Sequence, residues 1–392
     1  MTTTLRPSRP DDRVRVLMLV DKVRAGGGAE RFMAGLATAL PRDRYEVMVA
    51  TTRTAGGRVL DLLREGDIPH VGFHRRNRFD VAQFYRLTRF LREERIDIVH
   101  AHMFGSTLWG SIFGRLAGVP VVIAHEHTWS YEGEPLRKWL DGRVTGRLAD
   151  VFVAVSERDR RRMIELEKVP AEKTLVMPVP FIRRPASEPR DVRAELGIAP
   201  DAPVVGTVTV LREQKAVDVL LEAFARVSER MPEARLVIAG DGHLRGGLEA
   251  LAQRLGLTGK AHFLGWCEDV APVLTAADVA ALSSDYEGSP LFALECAEHG
   301  APLVSTDVGN VATLLGEDGI VVVPPRDPEA LADALEAMLR DPERRMAQAA
   351  AAAKHVPEHE LETVTQEFAD LYERLLAGAR SRRTRERIPV LG

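Results

Sequence analysis

The sequence predicts an α/β protein made of two tandem, doubly wound parallel-sheet domains. Three observations predict this. Short β-branched apolar runs alternate with amphipathic stretches from end to end, as expected for strands buried on both faces and covered by helices. At 392 residues the chain exceeds what one core ordinarily fills. The rhythm breaks once, at PVPFIRRPASEPRD (178–191), whose prolines and arginines read as a connector.

In the first half the strands are expected at 14–20, 45–50, 68–73, 97–102, 120–125 and 150–155, with amphipathic segments at Glu30–Leu40, Val81–Glu94 and Glu157–Glu167 between them. A second set follows at 202–210, 234–240, 260–265, 278–283, 301–305 and 319–325. The expected division is a Rossmann-like domain over 1–183, a linker over 184–200 and a second Rossmann-like domain over 201–356. A C-terminal helix with a basic tail, 357–392, is expected to pack back on the first domain. Ligands of such sheets bind beyond the carboxyl ends of the strands, so the loops after strands carry the information.

Composition narrows the class. Hydrophobic content of 45% and charged content of 28% are globular values. Two cysteines, Cys267 and Cys296, with no metal-ligand spacing, fit a reducing compartment. MTTTLRPSRPDDR lacks a signal-peptide core, and no apolar run nears 18 residues, so a cytoplasmic protein is expected. Residues 1–190 carry 33 Lys and Arg against 24 Asp and Glu, whereas residues 191–392 carry 20 against 33. The halves differ in electrostatic character, as domains with different partners do. The basic half has no nucleic-acid reader motif, so no nucleic-acid partner is expected.

The most informative stretch is SDYEGSPLFALECAEHG, 284–300. Ser289 suits an N-cap and Pro290 the first helical position. Leu291–Glu298 then reads as helix, ended by Gly300 and Pro302. Glu287 lies in the loop before this helix and Glu295 inside it, roughly 7–8 Å along the axis. The helix end between them offers free N–H groups and a partial positive charge, a place for phosphate. One acid is then placed to face each end of a diphosphate ligand. Other strand-end loops add weaker signals. Gly26, Gly27 and Gly28 precede a helix starting near Ala29, where backbone approaches a ligand closely. AHEHTW puts His125 and His127 at a strand terminus. Arg212 and Lys215 stand in LREQKAVDVLLEAF before a helix.

Together these segments resemble a retaining glycosyltransferase of the GT-B fold, family 4 (glycosyl transferases group 1), over roughly residues 14–375. YEGSPLFALECAEHGAPLVSTDVGN resembles the family's glutamate, seven residues, glutamate signature. GGGAER, AHEHTW, VAVSERDR, GDGHLRGGLEAL, HFLGWCEDVAPVLTAADV and VVVPPRDPEALADAL fall in the family's order. The resemblance implies that Glu295 accepts hydrogen bonds from the donor ribose and that Glu287 holds donor-sugar hydroxyls. N–H groups of Gly288, Ser289, Pro290's neighbours Leu291 and Phe292, with Gly27 and Gly28 opposite, would cradle the diphosphate. Lys215 would neutralise the leaving group, and His127 would lie near the donor sugar and acceptor. The family arginine five residues before that lysine is Val210 here, and Arg212 is the residue placed to substitute for it.

The resemblance implies a hexose-type donor on a nucleotide diphosphate and a glycan, lipid-linked or small-molecule hydroxyl acceptor, in cell-surface polysaccharide or glycolipid synthesis. No Asp-x-Asp occurs, so neither a metal nor another cofactor is expected. The alternatives are a nucleotide-sugar epimerase or phosphorylase on the same plan, or a member that binds without transfer. FHRRNRFDVAQFYRLTRFLREER (73–95), with Arg75, Arg76, Arg78, Arg86, Arg89 and Arg92, reads either as a contact with an anionic membrane face or as solvated arginines on a core-packed helix.

Overall fold

In the computed structural model, which describes residues 12–23, 28–77, 80–127, 134–183 and 190–386 with side chains to 382, the strands form two sheets. The first holds β1 (Val14–Val23), β2 (Tyr45–Ala55), β3 (His70–Gly72), β4 (Ile98–His102), β5 (Val121–His125), β6 (Val151–Ala154) and β7 (Thr174–Val176), in the order β3-β2-β1-β4-β5-β6-β7. The second holds β8 (Val204–Val208), β9 (Arg235–Ala239), β10 (Ala261–Gly265), β11 (Val279–Leu282), β12 (Leu303–Thr306) and β13 (Val321–Val323), in the order β10-β9-β8-β11-β12-β13. All ladder pairings between these strands are parallel. The expected fold class is borne out.

The strands are apolar because helices cover both faces of each sheet. Helix Gly28–Ala39 and helix Leu361–Glu386 pack on one face of the first sheet through Phe32, Leu36, Phe368 and Tyr372. Helices Val81–Glu93 and Phe104–Ala117 take the other through Leu87, Leu91 and Ala117. In the second sheet, helices Val217–Arg230 and Pro328–Arg340 bury Leu220, Phe224, Leu331 and Leu335 on one face, while helix Leu291–Glu298 buries Ala293, Leu294 and Ala297 on the other. Each of these large side chains contributes about 1.5–3 kcal/mol by leaving water.

Several elements differ from expectation. β7 is a strand the sequence did not announce, since three residues behind a short turn show no alternation. The stretch Glu157–Glu167 splits into helix Glu157–Arg162 and a π-helical turn, Met163–Glu167. Within 184–200, read as linker, residues Val192–Glu195 form a helix, and Val192 and Ile198 pack against Val204 and Val237. The expected Ser289 cap is corrected. Helix Leu291–Glu298 starts after Pro290, which takes the capping position in an extended conformation (φ −75°, ψ 102°) with no side-chain cap.

Strand order fixes where the site falls. In each sheet the winding reverses once, between β1 and β4 and between β8 and β11. Loops leaving those strand pairs diverge and open a crevice. Lys215, after β8, and Glu287, after β11, flank the second reversal; helix Gly28–Ala39 and the β4 terminus flank the first.

Candidate active site

The β8 and β11 loops are bound into one unit. After β8 the chain makes a turn, Glu213–Lys215, and leaves it through Ala216 in the left-handed region (φ 45°, ψ 43°). That turn aims Lys215 at the β11 loop, where its Nζ lies 2.5 Å from Glu287 Oε1. Ser284 Oγ donates to the same oxygen at 2.6 Å. Gln214 donates to the Tyr286 carbonyl at 2.7 Å, and Ser283 donates to the Lys215 carbonyl at 2.9 Å. The two charged side chains are only 16% and 10% exposed, so the pair is weakly screened and holds its geometry. The structure therefore brings Lys215 and Glu287 together.

Glu295 lies one helix away and is buried, 4% exposed. Arg31, on helix Gly28–Ala39 of the first half, approaches it at 3.9 Å and donates to the Ile182 carbonyl at 2.9 Å. The Arg31 guanidinium lies beside this buried carboxylate, whose oxygens can accept from ligand hydroxyls. Phe292 packs inward, 8% exposed, and Ser289 Oγ is buried without a partner.

The first half presents His127 to this unit. β4 and β5 pair with His102 opposite His125, and side chains two apart on a strand share a face. His100, His102, His125 and His127 consequently cluster beneath the Phe32 ring, which meets His125 and His127 edge-on at 4.9 Å. His100, His102 and His125 are fully buried, and His127 is half-buried at the cleft. Desolvation pushes all four well below the usual histidine range, so they are neutral near pH 7. Nitrogens of His100, His102 and His125 lie within 4.8 Å of one another. Both His100 nitrogens are, however, hydrogen-bonded, and the His100 and His125 rings stack within 7° of parallel. With both His100 nitrogens engaged, the cluster reads as two hydrogen-bonded chains.

The halves meet at small residues. A Cβ on Gly288 would lie 2.1 Å from the His127 carbonyl oxygen and 2.9 Å from Val155 Cγ2. A Cβ on Gly28 would sit 3.7 Å from Leu291 Cδ1. Arg158 pairs with Asp307 at 2.8 Å across the same boundary. Gly288→Ala is accordingly expected to hold the halves apart and lower kcat by about 10²-fold, with a melting temperature near wild type. Wild-type turnover in that variant would show that this contact is dispensable.

Arg212 is not brought into the Lys215–Glu287 unit. Its side chain is exposed and has no ion pair among the described residues. Val210 is also exposed, at 39%. Gly27 lies outside the described residues. Arg75, grouped by sequence with solvated or membrane-facing arginines, is corrected: it is 6% exposed and pairs with Asp21 at 3.1 Å, below the Phe84 and Trp109 rings. Arg78 is outside the described residues. Sequence reading missed Arg31, His100, His102 and Tyr372. The i, i+2 histidines of HAH at a strand end were the available signal for two of them.

Comparison with known proteins adds the following. The family model "Glycosyltransferase Family 4" matches residues 26–180, and "Glycosyl transferases group 1" matches 202–341. The chain is 33% identical over 287 residues to the alpha-D-kanosaminyltransferase of Streptomyces kanamyceticus, covering 67% of this chain and 73% of the relative. It is 30% identical to an Escherichia coli UDP-Gal:alpha-D-GlcNAc-diphosphoundecaprenol alpha-1,3-galactosyltransferase, over 62% of this chain and 66% of that one. Among solved structures, Anabaena HepE in complex with UDP superimposes with TM-score 0.81 at 22% identity, covering 92% of this chain and all of that one. WaaG, a glycosyltransferase of lipopolysaccharide biosynthesis, gives 0.69 at 20% identity, over 91% and 99%.

Proposed function

Because the chain belongs to the family 4 glycosyltransferases (glycosyl transferases group 1), we propose that it moves a hexose-type sugar, with retention, from a nucleotide-diphosphate donor to a hydroxyl acceptor. The observation that carries this reading is the Lys215–Glu287 pair at the strand-order reversal, in the loop leading to helix Leu291–Glu298 and facing His127.

Breaking the bond between the anomeric carbon and phosphate leaves positive charge on carbon and negative charge on the diphosphate. Lys215, with Arg212 on the same loop, and the N–H groups from Gly288 through Phe292 answer the negative charge. Gly28, against Leu291, lets the opposite wall approach it. Glu287 holds donor-sugar hydroxyls, and Glu295 accepts from the ribose. The leaving phosphate oxygen takes the acceptor proton as the acceptor oxygen bonds carbon on the same face. His127, neutral at the cleft, orients the sugar and acceptor.

A cationic phosphate site needs no metal bridge, so treatment with EDTA is expected to leave transfer largely intact; strict dependence on added Mg²⁺ or Mn²⁺ would contradict this. Two relatives support the substrate class. One is named for a UDP-galactose donor and a diphosphoundecaprenol acceptor, and another structure was solved with UDP-glucose. A lipid-linked acceptor suits a peripheral position at the inner membrane face. No helix of the described residues is long and apolar enough to cross a membrane. Val81, Tyr85 and Leu116 are exposed beside Arg86 and Arg92, a surface suited to an anionic bilayer.

The test is incubation with labelled uridine, guanosine and adenosine diphosphate sugars plus a lipid or polysaccharide extract. Label moving to the extract supports transfer. An isomerised donor favours an epimerase, sugar phosphate formed only when inorganic phosphate is added favours a phosphorylase, and binding alone favours a member that has lost transfer.

A further inference from the structure

Of the four clustered imidazoles only His127 reaches the cleft. Their hydrogen bonds form two chains. In one, the Tyr372 hydroxyl lies 2.7 Å from His100 Nδ1, and His100 Nε2 lies 3.1 Å from His125 Nδ1. In the other, His102 Nδ1 meets His127 Nε2 at 3.0 Å.

A neutral imidazole carries one N–H, so each contact needs one donor and one acceptor. The second chain has two solutions. His102 can donate from Nδ1, leaving a bare lone pair on Nε2. Otherwise His127 donates from Nε2, and His102 must carry its proton on a buried Nε2. That His102 Nε2 is buried without a partner. Unpaired buried N–H groups are rarer in folded proteins than under-used acceptors, which favours the first solution. The His127 proton then sits on Nδ1, which has no partner among the described residues and is not among the buried unpaired atoms.

From this geometry we infer that His102 is a positioning residue that locks His127 as its Nδ1–H tautomer, so that His127 meets the substrate as a neutral hydrogen-bond donor and not as a base. The inference rests on the reading that His127 lines the donor-sugar side of the cleft. The ligand group it implies is an oxygen acceptor, a sugar hydroxyl or a leaving phosphate oxygen. No bond to the ring forms or breaks, and the acceptor proton leaves through the phosphate.

The tautomer is read directly from long-range ¹⁵N–¹H correlation spectra of the full chain labelled in histidine, with His127 assigned by its loss in His127→Gln. The wild type is expected to show Nδ1–H. His102→Leu should lose that pattern and lower kcat by about 10²-fold with donor KM little changed. His102→Asn, which keeps an amide N–H near the former Nδ1, should restore most of both. A wild-type His127 protonated on Nε2, or an Nδ1–H pattern that persists in His102→Leu, overturns the inference. If His102→Leu does not fold, the wild-type spectrum and His102→Asn decide. A wild type that transfers no sugar would instead defeat the proposed function, and the spectra would still decide the role of His102.

Discussion

Glu287→Gln is expected to abolish sugar transfer, by at least about 10³-fold in kcat, while binding of the free nucleoside diphosphate survives. The carboxylate is held by Lys215 at 2.5 Å and Ser284 at 2.6 Å, so it is fixed in place before substrate arrives. Glutamine keeps the shape but removes the charge that answers cation development at the anomeric carbon. It also releases Lys215 from its partner, which leaves more positive charge for the diphosphate. Affinity for the nucleotide should therefore hold or rise. Titration calorimetry with nucleoside diphosphate beside initial rates separates the two effects. Equal loss of affinity and rate would refute the division between a sugar-facing acid and a phosphate site.

Lys215→Ala should lower kcat by roughly 10²–10³-fold, the size of losing one transition-state charge stabiliser. It should also destabilise the fold by about 1–3 kcal/mol, because Glu287, 10% exposed, loses its only ion pair and keeps just the Ser284 hydroxyl and a long bond from the Gln214 amide among the described residues. If Arg212 takes the place of the family arginine, Arg212→Ala does similar damage to turnover, and the double variant far less than the product of the two, since both cations then act on one leaving group. Val210→Arg in the Arg212→Ala background should then return part of the rate. A fully active Arg212→Ala enzyme would show that Lys215 and the helix end suffice.

Much of this architecture was legible in the residues. Strands buried on both faces have no choice but to be apolar throughout, so twelve of the runs named themselves. β7 did not, because Thr174–Val176 is too short to show a pattern. The acid pair and the Gly-Ser-Pro between its members marked the β11 loop, yet local preference misplaced the cap. Gly288 packs on the His127 carbonyl, and Pro290 two residues on is extended, an arrangement that local preference does not encode. Arg75 looked like its neighbours because a charge pattern carries no partner; Asp21 comes to it from 54 residues away. The His102–His127 contact likewise depends on the register of β4 against β5, which sequence does not state.

The measurement that tests the central claim most directly is the anomeric configuration of the product, read by proton NMR on the sugar transferred from an α-linked nucleotide donor. Same-face attack through the Lys215–Glu287 site predicts an α-linked product with the nucleoside diphosphate released in equal amount. A β-linked product, or release of nucleotide with only free sugar, would contradict it.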